Sequence, residues 1–370
     1  MEWILAHWRP GRPHATPRRA LVAGCGTGAE AFAFSRLFPR AEIVAIDFSP
    51  RVIEIARQYQ QRAAHRRNVR FVLADLSTPG LERAIGGDFD LVSCHGVLSY
   101  VPAAARALEN LSRCLAPDGA LGLGVNGVRH VSAGLRAALP DFGYDVSTFA
   151  DGPDVRQVLS LFDALLGRVR RTDRVAPRSA DYVASDVFGE LIRNLSLPTW
   201  VRAARAAGLH LQNSLSSHRA LRLAVERGLC ELLLPRSRAH VCELLEALEP
   251  AQFHMLLFTR QPVVDPPWRT PGALEDWRPL LTGLFPLKRP SASGDVRTVR
   301  LDARAINTRI EWPMTRWQRD LLASADGRRS VRRILGPAGA DVPPGDVAAF
   351  LYVLHQLVVI EMRPPRTPKR

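Results

Sequence analysis

The stretch Ala20–Ala29, ALVAGCGTGA, constrains this chain more than any other. A short apolar run breaks at Gly24, and glycines recur at Gly26 and Gly28. Glycines so spaced remove side chains where a backbone turns sharply or lets a ligand approach closely. Ala20–Ala23 reads as a buried strand, and Glu30–Phe38 as the helix that follows the turn.

The rhythm continues downstream. AEIVAIDFSP gives a strand, Glu42–Ile46, that ends at Asp47, and Pro50 sits at a helix start, where its missing N–H costs nothing. Val52, Ile55, Ala56 and Tyr59 then recur at helical spacing, which predicts one apolar face. VRFVLAD predicts a third strand ending at Asp75, FDLVSC a fourth ending at Cys94, and Ala120–Val125 a fifth after the APDG turn. Leu108, Leu111 and Leu115 mark the helix between the last two. Strands alternating with helices in this way predict right-handed βαβ units and a doubly wound, mostly parallel sheet.

Ligands of such sheets sit over the carboxyl ends of the strands, so the glycines, Asp47 and Asp75 share one rim. Gly24 and Gly26 are placed to let a ligand touch the backbone, and Gly28 to let the helix pack closely. Asp47 lies about 20 residues beyond the glycines, the position of an acid that accepts from ribose hydroxyls. GCGTGA also satisfies the GxGxxA dinucleotide pattern, so a nicotinamide cofactor stays open at this point. Asp75 in FVLADLS argues against it, because a second acid at the third strand suits the exocyclic amine of an adenine. Asp75 can equally cap a turn before Ser77 and Pro79.

Composition sets outer bounds. At 370 residues the chain exceeds the ~100–200 of one domain and predicts two or three modules. No apolar run approaches the ~20 residues that span a bilayer. The start, MEWILAHWRP, lacks the basic segment and small-residue cleavage site of a secretion signal, so the cytoplasm is expected. Five scattered cysteines fit reduced thiols, neither a disulfide framework nor a zinc site. The formal charge of +14 could attract nucleic acid or membrane, but lysine occurs only at Lys288 and Lys369. The arginines are spread along the chain, as a GC-rich coding bias gives, so neither nucleic acid nor membrane is the expected partner.

In order, LVAGCGTG, AIDFSP, FVLADLS, FDLVSCHGVLSYV and LAPDGALGLGV resemble the successive motifs of the class I S-adenosylmethionine-dependent methyltransferases over residues 18–126. More narrowly, LVAGCGTG and HGVLSYV resemble bacterial members with a helical insertion and a C-terminal extension. The resemblance implies S-adenosylmethionine as cofactor, with contacts from Gly24, Cys25, Gly26 and Gly28. It implies ribose bonding by Asp47 with Phe48 beside it, adenine bonding by Asp75 with Leu76 against the base, and His95 close to the methyl group. Where the family often has an acid two residues before the first glycine, this chain has Val22.

The resemblance also implies a closed, seven-stranded Rossmann-like sheet. LPTWVRAARAAGLHLQNSLS would supply a helix, with Trp200, Val201 and Ala204 on one face and Gly208 at its end, then the sixth strand. FHMLLFTRQP would supply the last strand, antiparallel. The methyltransferase domain would run over 1–262, with helical insertions at 127–196 and 217–251 forming a lid; Val158, Leu161, Phe162 and Leu165 carry the helical pattern of the first. A Pro-, Gly- and Ser-rich linker is expected at 263–294 and a small winged-helix-like α+β domain at 295–370.

The expected activity is methyl transfer by in-line displacement to a small-molecule or peptide acceptor, with self-association left open. His95 is the candidate base or, equally, a residue that bonds backbone and shapes the turn before Gly96; Tyr100, His130 and Tyr144 are lesser candidates, read first as packing or lid surface. Trp3 and Trp8 are read first as packing residues and second as a cover for the cofactor. No metal-ligand spacing occurs. The alternative function is a non-catalytic binding protein on the same fold.

Overall fold

A computed structural model of the chain describes residues 16–62, 68–148, 156–157, 160, 187–189, 191–214, 236–248, 250–262, 268, 271–282, 297–303, 308–337, 341–356 and 359–365. Its centre is a seven-stranded sheet of β1 (Arg19–Ala23), β2 (Glu42–Asp47), β3 (Val69–Leu73), β4 (Phe89–His95), β5 (Leu115–Asn126), β6 (His210–Ser214) and β7 (Phe253–Thr259). The order is β3-β2-β1-β4-β5-β7-β6, parallel throughout except for β7, which runs antiparallel to both β5 and β6. The chain winds outward from β1 through β2 to β3 and then returns to β1's other side as β4. That switch point opens a crevice at the carboxyl ends of the strands.

Both faces of the sheet are covered, which is why its central strands are mainly apolar, whereas the edge strand β6 is mostly polar. On one face Ala20, Val22, Ile43 and Ala45 pack with Phe32 and Phe34 of α1 (Ala29–Leu37) and Ile53 and Ala56 of α2 (Pro50–Gln61). Pro50 does open α2, and the Ser49 side chain caps it by accepting from the amide of Val52. The apolar face is rotated from the predicted one: Ile53 and Ala56 are buried, whereas Tyr59 is 47% exposed.

The opposite face buries Leu21, Val44 and Val92 under α4 (Ala104–Cys114) and α6 (Leu197–Ala206), following the short α3 (Leu81–Ile85) and the insertion helix α5 (Val131–Ala138). Trp200, Val201 and Ala204 form the buried side of α6, and Gly208 follows it at φ +75°, a backbone that terminates a helix without a Cβ clash. Val158, Leu161, Phe162 and Leu165 of the first insertion lie outside the described residues, as do Trp3, Trp8 and Cys230.

The C-terminal part builds its own apolar core. After α7 (Arg238–Leu248) come β8 (Arg278–Leu281), the hairpin partners β9 (Arg297–Ala303) and β10 (Thr308–Met314), then α8 (Arg316–Ala323), α9 (Val331–Leu335), α10 (Pro344–Gln356) and β11 (Ile360–Arg363). A Thr315–Gln318 capping box starts α8. The expected linker at 263–294 needs correction. Its β8 pairs antiparallel with β11, and its Trp268 and Leu274 are buried with Trp312, Phe350 and Leu351. Two tryptophans and a strand among the prolines supply enough apolar surface to join a core. Helix α7 enters that core too, through Val241 and Leu245, while its Cys242 packs in the core of the sheet.

Candidate functional site

The glycine turn is built from strand to helix by its backbone. The amides of Gly24 and Cys25 both donate to the carbonyl of Ile46 at 2.8 Å, which ties the end of β1 to β2. Gly24, Gly26 and Gly28 all have positive φ (74°, 53° and 93°). Their missing side chains serve different ends. A Cβ on Gly24 would lie 2.3 Å from Val97, and one on Gly28 would lie 2.9 Å from the Phe71 ring. Both are packing requirements. A Cβ on Gly26 would meet no atom within 4 Å, so there the backbone faces open space.

Asp47 stands at the tip of β2, opposite that open backbone. One carboxylate oxygen accepts from the amide of Gly26 and the other from the amide of Ser49, each at 3.0 Å. Asp75, exposed after β3, accepts from the amide of Ser77 at 2.7 Å and so closes an Asx turn. The turn role is present, and the carboxylate still borders the cavity. Sequence reasoning missed Asn110, whose buried side-chain amide donates to the carbonyls of Leu76 (2.7 Å) and Thr78 (2.9 Å) and holds the turn in place. The signal was one polar residue on the apolar face of Leu108 and Leu111.

Together these elements enclose a cavity of about 520 Å³. Gly24, Gly26, Asp47, Phe48, Asp75 and Leu76 line it, as does Tyr100. Phe48 is 76% exposed, an apolar ring on the cavity rim. The loop after β4 adds Gly96, Val97 and Val101, and the first insertion adds Phe188, Gly189 and Leu191. The hydroxyl of Tyr100 accepts from the side-chain amide of Asn126 at 3.2 Å.

Three residues expected at the site stand outside the lining. Cys25 turns its thiol into the core of α1, where burial, with the charge of Asp47 second, pushes its pKa up to about 12. Its amide is already committed to Ile46. Gly28 packs on Phe71. His95 ends β4 next to the lining residue Gly96, its ring lying over Gly124 and 5.0 Å from the Phe253 ring. Loss of water on that side pushes the imidazole below its ordinary value, against the opposing charge of Glu30. His130 is buried with Nδ1 2.7 Å from the Ser132 hydroxyl, a cap on α5. Tyr144 lies beyond α5, outside the lining.

The insertion wall is held by two arginines that nothing local in the sequence marks. One Arg136 nitrogen donates to the carbonyls of Val187 (2.9 Å) and Gly189 (2.8 Å). The Arg193 guanidinium donates to the carbonyls of Val101 and Pro102. Further along, buried His254 meets the Leu195 carbonyl at 3.1 Å and the Glu246 carboxylate at 3.6 Å. Burial sets the charge of this pair: it pushes Glu246 up to about 7 and His254 down to about 4.

The lining thus sets acids at two corners, apolar side chains between them, and a glycine backbone left bare. A family profile described as a methyltransferase domain matches residues 21–121. Residues 21–121 therefore form a methyltransferase domain of the class I S-adenosylmethionine-dependent type. Trans-aconitate 2-methyltransferase of Methylobacterium radiotolerans is 38% identical to this chain over 109 residues, 30% of this chain and 38% of that protein. The malonyl-acyl carrier protein O-methyltransferase of Halorhodospira halophila is 32% identical over 154 residues, 41% of this chain and 49% of that one. The chain thus spans less than half the length of either. Among solved structures, PKMT2 from Rickettsia typhi in complex with AdoHcy has a similar fold, with a TM-score of 0.63 at 15% identity. That match covers 98% of this chain and 75% of the other, so the likeness of fold extends beyond the sheet. Among the described residues no helix is long and apolar enough to cross a membrane, and no cluster could hold a metal ion.

Proposed function

We propose that this protein binds S-adenosylmethionine in the 520 Å³ cavity and transfers its methyl group to a small-molecule or peptide acceptor in the cytoplasm. The carrying observation is the pair of rim carboxylates, Asp47 braced on the bare Gly26 backbone and Asp75 braced on its own turn. The methyltransferase-domain match over residues 21–121 supports S-adenosylmethionine over a nicotinamide dinucleotide, and the AdoHcy bound to the Rickettsia typhi protein agrees with it.

In this reading Asp47 accepts from the ribose hydroxyls and Asp75 from the adenine amine. Phe48 and Leu76 flank the base. The cofactor, when bound, supplies a methyl group already activated for displacement, so the chain's task is alignment and exclusion of water. The wall of Phe188 and Leu191 excludes water. His95, kept neutral by its surroundings, takes the acceptor's proton.

The curated relatives are named for trans-aconitate and for malonyl-acyl carrier protein, but each match covers under half of this chain. The acceptor here is therefore drawn as a class. Calorimetric titration with S-adenosylmethionine, S-adenosylhomocysteine and NADH tests the cofactor. Binding of NADH alone, or of none of the three, refutes the reading. Methyl-labelled cofactor offered with lysates and peptides then separates transfer from binding without catalysis.

A further inference from the structure

S-Adenosylmethionine carries a cationic α-ammonium at the end opposite its adenine, and the two rim aspartates are engaged elsewhere in the proposed site. Strand β1 offers no carboxylate at that end: Val22 is apolar and fully buried. Its ladder partner on β4 is Ser93. The Ser93 hydroxyl donates to a carboxylate oxygen of Glu30 at 2.6 Å, which brings an acid from the first turn of α1 onto the same sheet face as Val22. The second carboxylate oxygen has no partner among the described residues. Glu30 is half-buried, two residues past Gly28, and its charge is felt by the thiol of Cys25 within the glycine turn and by His95 beyond it.

We infer that Glu30, aimed by Ser93, is the counter-ion for the α-ammonium of the cofactor. The inference rests on the cofactor reading above. It gives a use to a carboxylate that neither the ribose nor the adenine requires. It also explains why a half-buried acid is pinned by a strand hydroxyl and not released to solvent.

The test compares two ligands by calorimetry, both neutral thioethers at sulfur: S-adenosylhomocysteine, which carries the ammonium, and 5′-methylthioadenosine, which keeps the nucleoside but has no ammonium. Glu30→Gln, which preserves the acceptor for Ser93, should weaken S-adenosylhomocysteine about 10–100-fold, the scale of a charge-assisted hydrogen bond. 5′-Methylthioadenosine should be unaffected. Equal weakening of both ligands, or no change in either, overturns the inference and leaves the cofactor reading intact. Should Glu30→Gln fail to fold, Ser93→Ala carries the same comparison, since it frees the carboxylate without removing it. A selective loss then supports the inference and an equal or absent loss overturns it. If the unmodified protein binds neither ligand, the cofactor reading itself fails.

Discussion

The amide of Gly26 donates to the carboxylate of Asp47 at 3.0 Å, so the turn after β1 and the tip of β2 are braced on each other. Replacing Asp47 therefore has two effects. Asp47→Ala should weaken S-adenosylmethionine by about 1.5–3 kcal/mol, the scale of hydrogen bonds to a charged group. It should also lower the melting temperature, because the amides of Gly26 and Ser49 lose their acceptor. Calorimetry on the folded variant checks the first, and unchanged affinity would remove Asp47 from the site.

Gly26 and Gly24 should separate by phenotype. Gly26→Val places a branched side chain in open space above the turn, so binding should vanish, with a loss of stability from a positive φ that a β-branched residue rarely adopts. Gly24→Ala meets Val97 and should chiefly lower stability. Thermal melts paired with cofactor titration decide it; a Gly26→Val protein that still binds puts the cofactor elsewhere.

If His95 is the base, His95→Gln should cut turnover about 10²–10⁴-fold with cofactor affinity near normal. Its pKa is displaced downward, so the neutral form persists below the usual imidazole range. Turnover should accordingly hold through neutral pH and fall only on a limb below 6.5, a limb absent in the variant. Parallel loss of rate and affinity would show a structural histidine instead.

The buried Glu246–His254 pair should leave a signature in stability. Glu246 is raised to about 7 from 4.5, so its contribution is present below 4.5 and is lost as pH climbs toward 7. His254 is lowered to about 4 from 6.5, so its contribution is present above 6.5 and is lost as pH falls toward 4. Glu246→Gln should gain in melting temperature relative to the parent as pH rises from 4.5 to 7. A pH-independent difference would contradict the charge state assigned to Glu246.

Because β8 pairs with β11 and α7 lends Val241 and Leu245 to the C-terminal core, a cut near Pro290 divides that core. We place the boundary before Trp268. Ending the chain after Pro262 should still bare Val241 and Leu245, raise binding of an apolar dye and lower the melting temperature. An unchanged melt would mean that the two cores are independent.

The alternation from Ala20 to Val125 is legible because strands buried on both faces are mainly apolar, and glycine or aspartate punctuates their ends. Orientation is harder to read. Tyr59 fits the helical period yet faces outward, since spacing alone does not say which flank of α2 meets the sheet. The cavity wall is not legible at all. Phe188 reaches the site only because Arg136 grips Val187 from 51 residues away, and no local pattern encodes that. The tryptophans at 268 and 277 sit among prolines, whose turn signal masked a contribution to the core that depends on β11 some eighty residues later.

Both wall arginines hold main-chain oxygens: those of Val187 and Gly189 on one side, Val101 and Pro102 on the other. A carbonyl is the same whatever residue carries it. The side chains facing the cavity can therefore change over generations without loosening the clasp, and the arginines can stay while Phe188 and Leu191 are exchanged. The wall's anchorage is thus independent of the side chains that face the cavity, so exchanging them need not disturb how the segment is held.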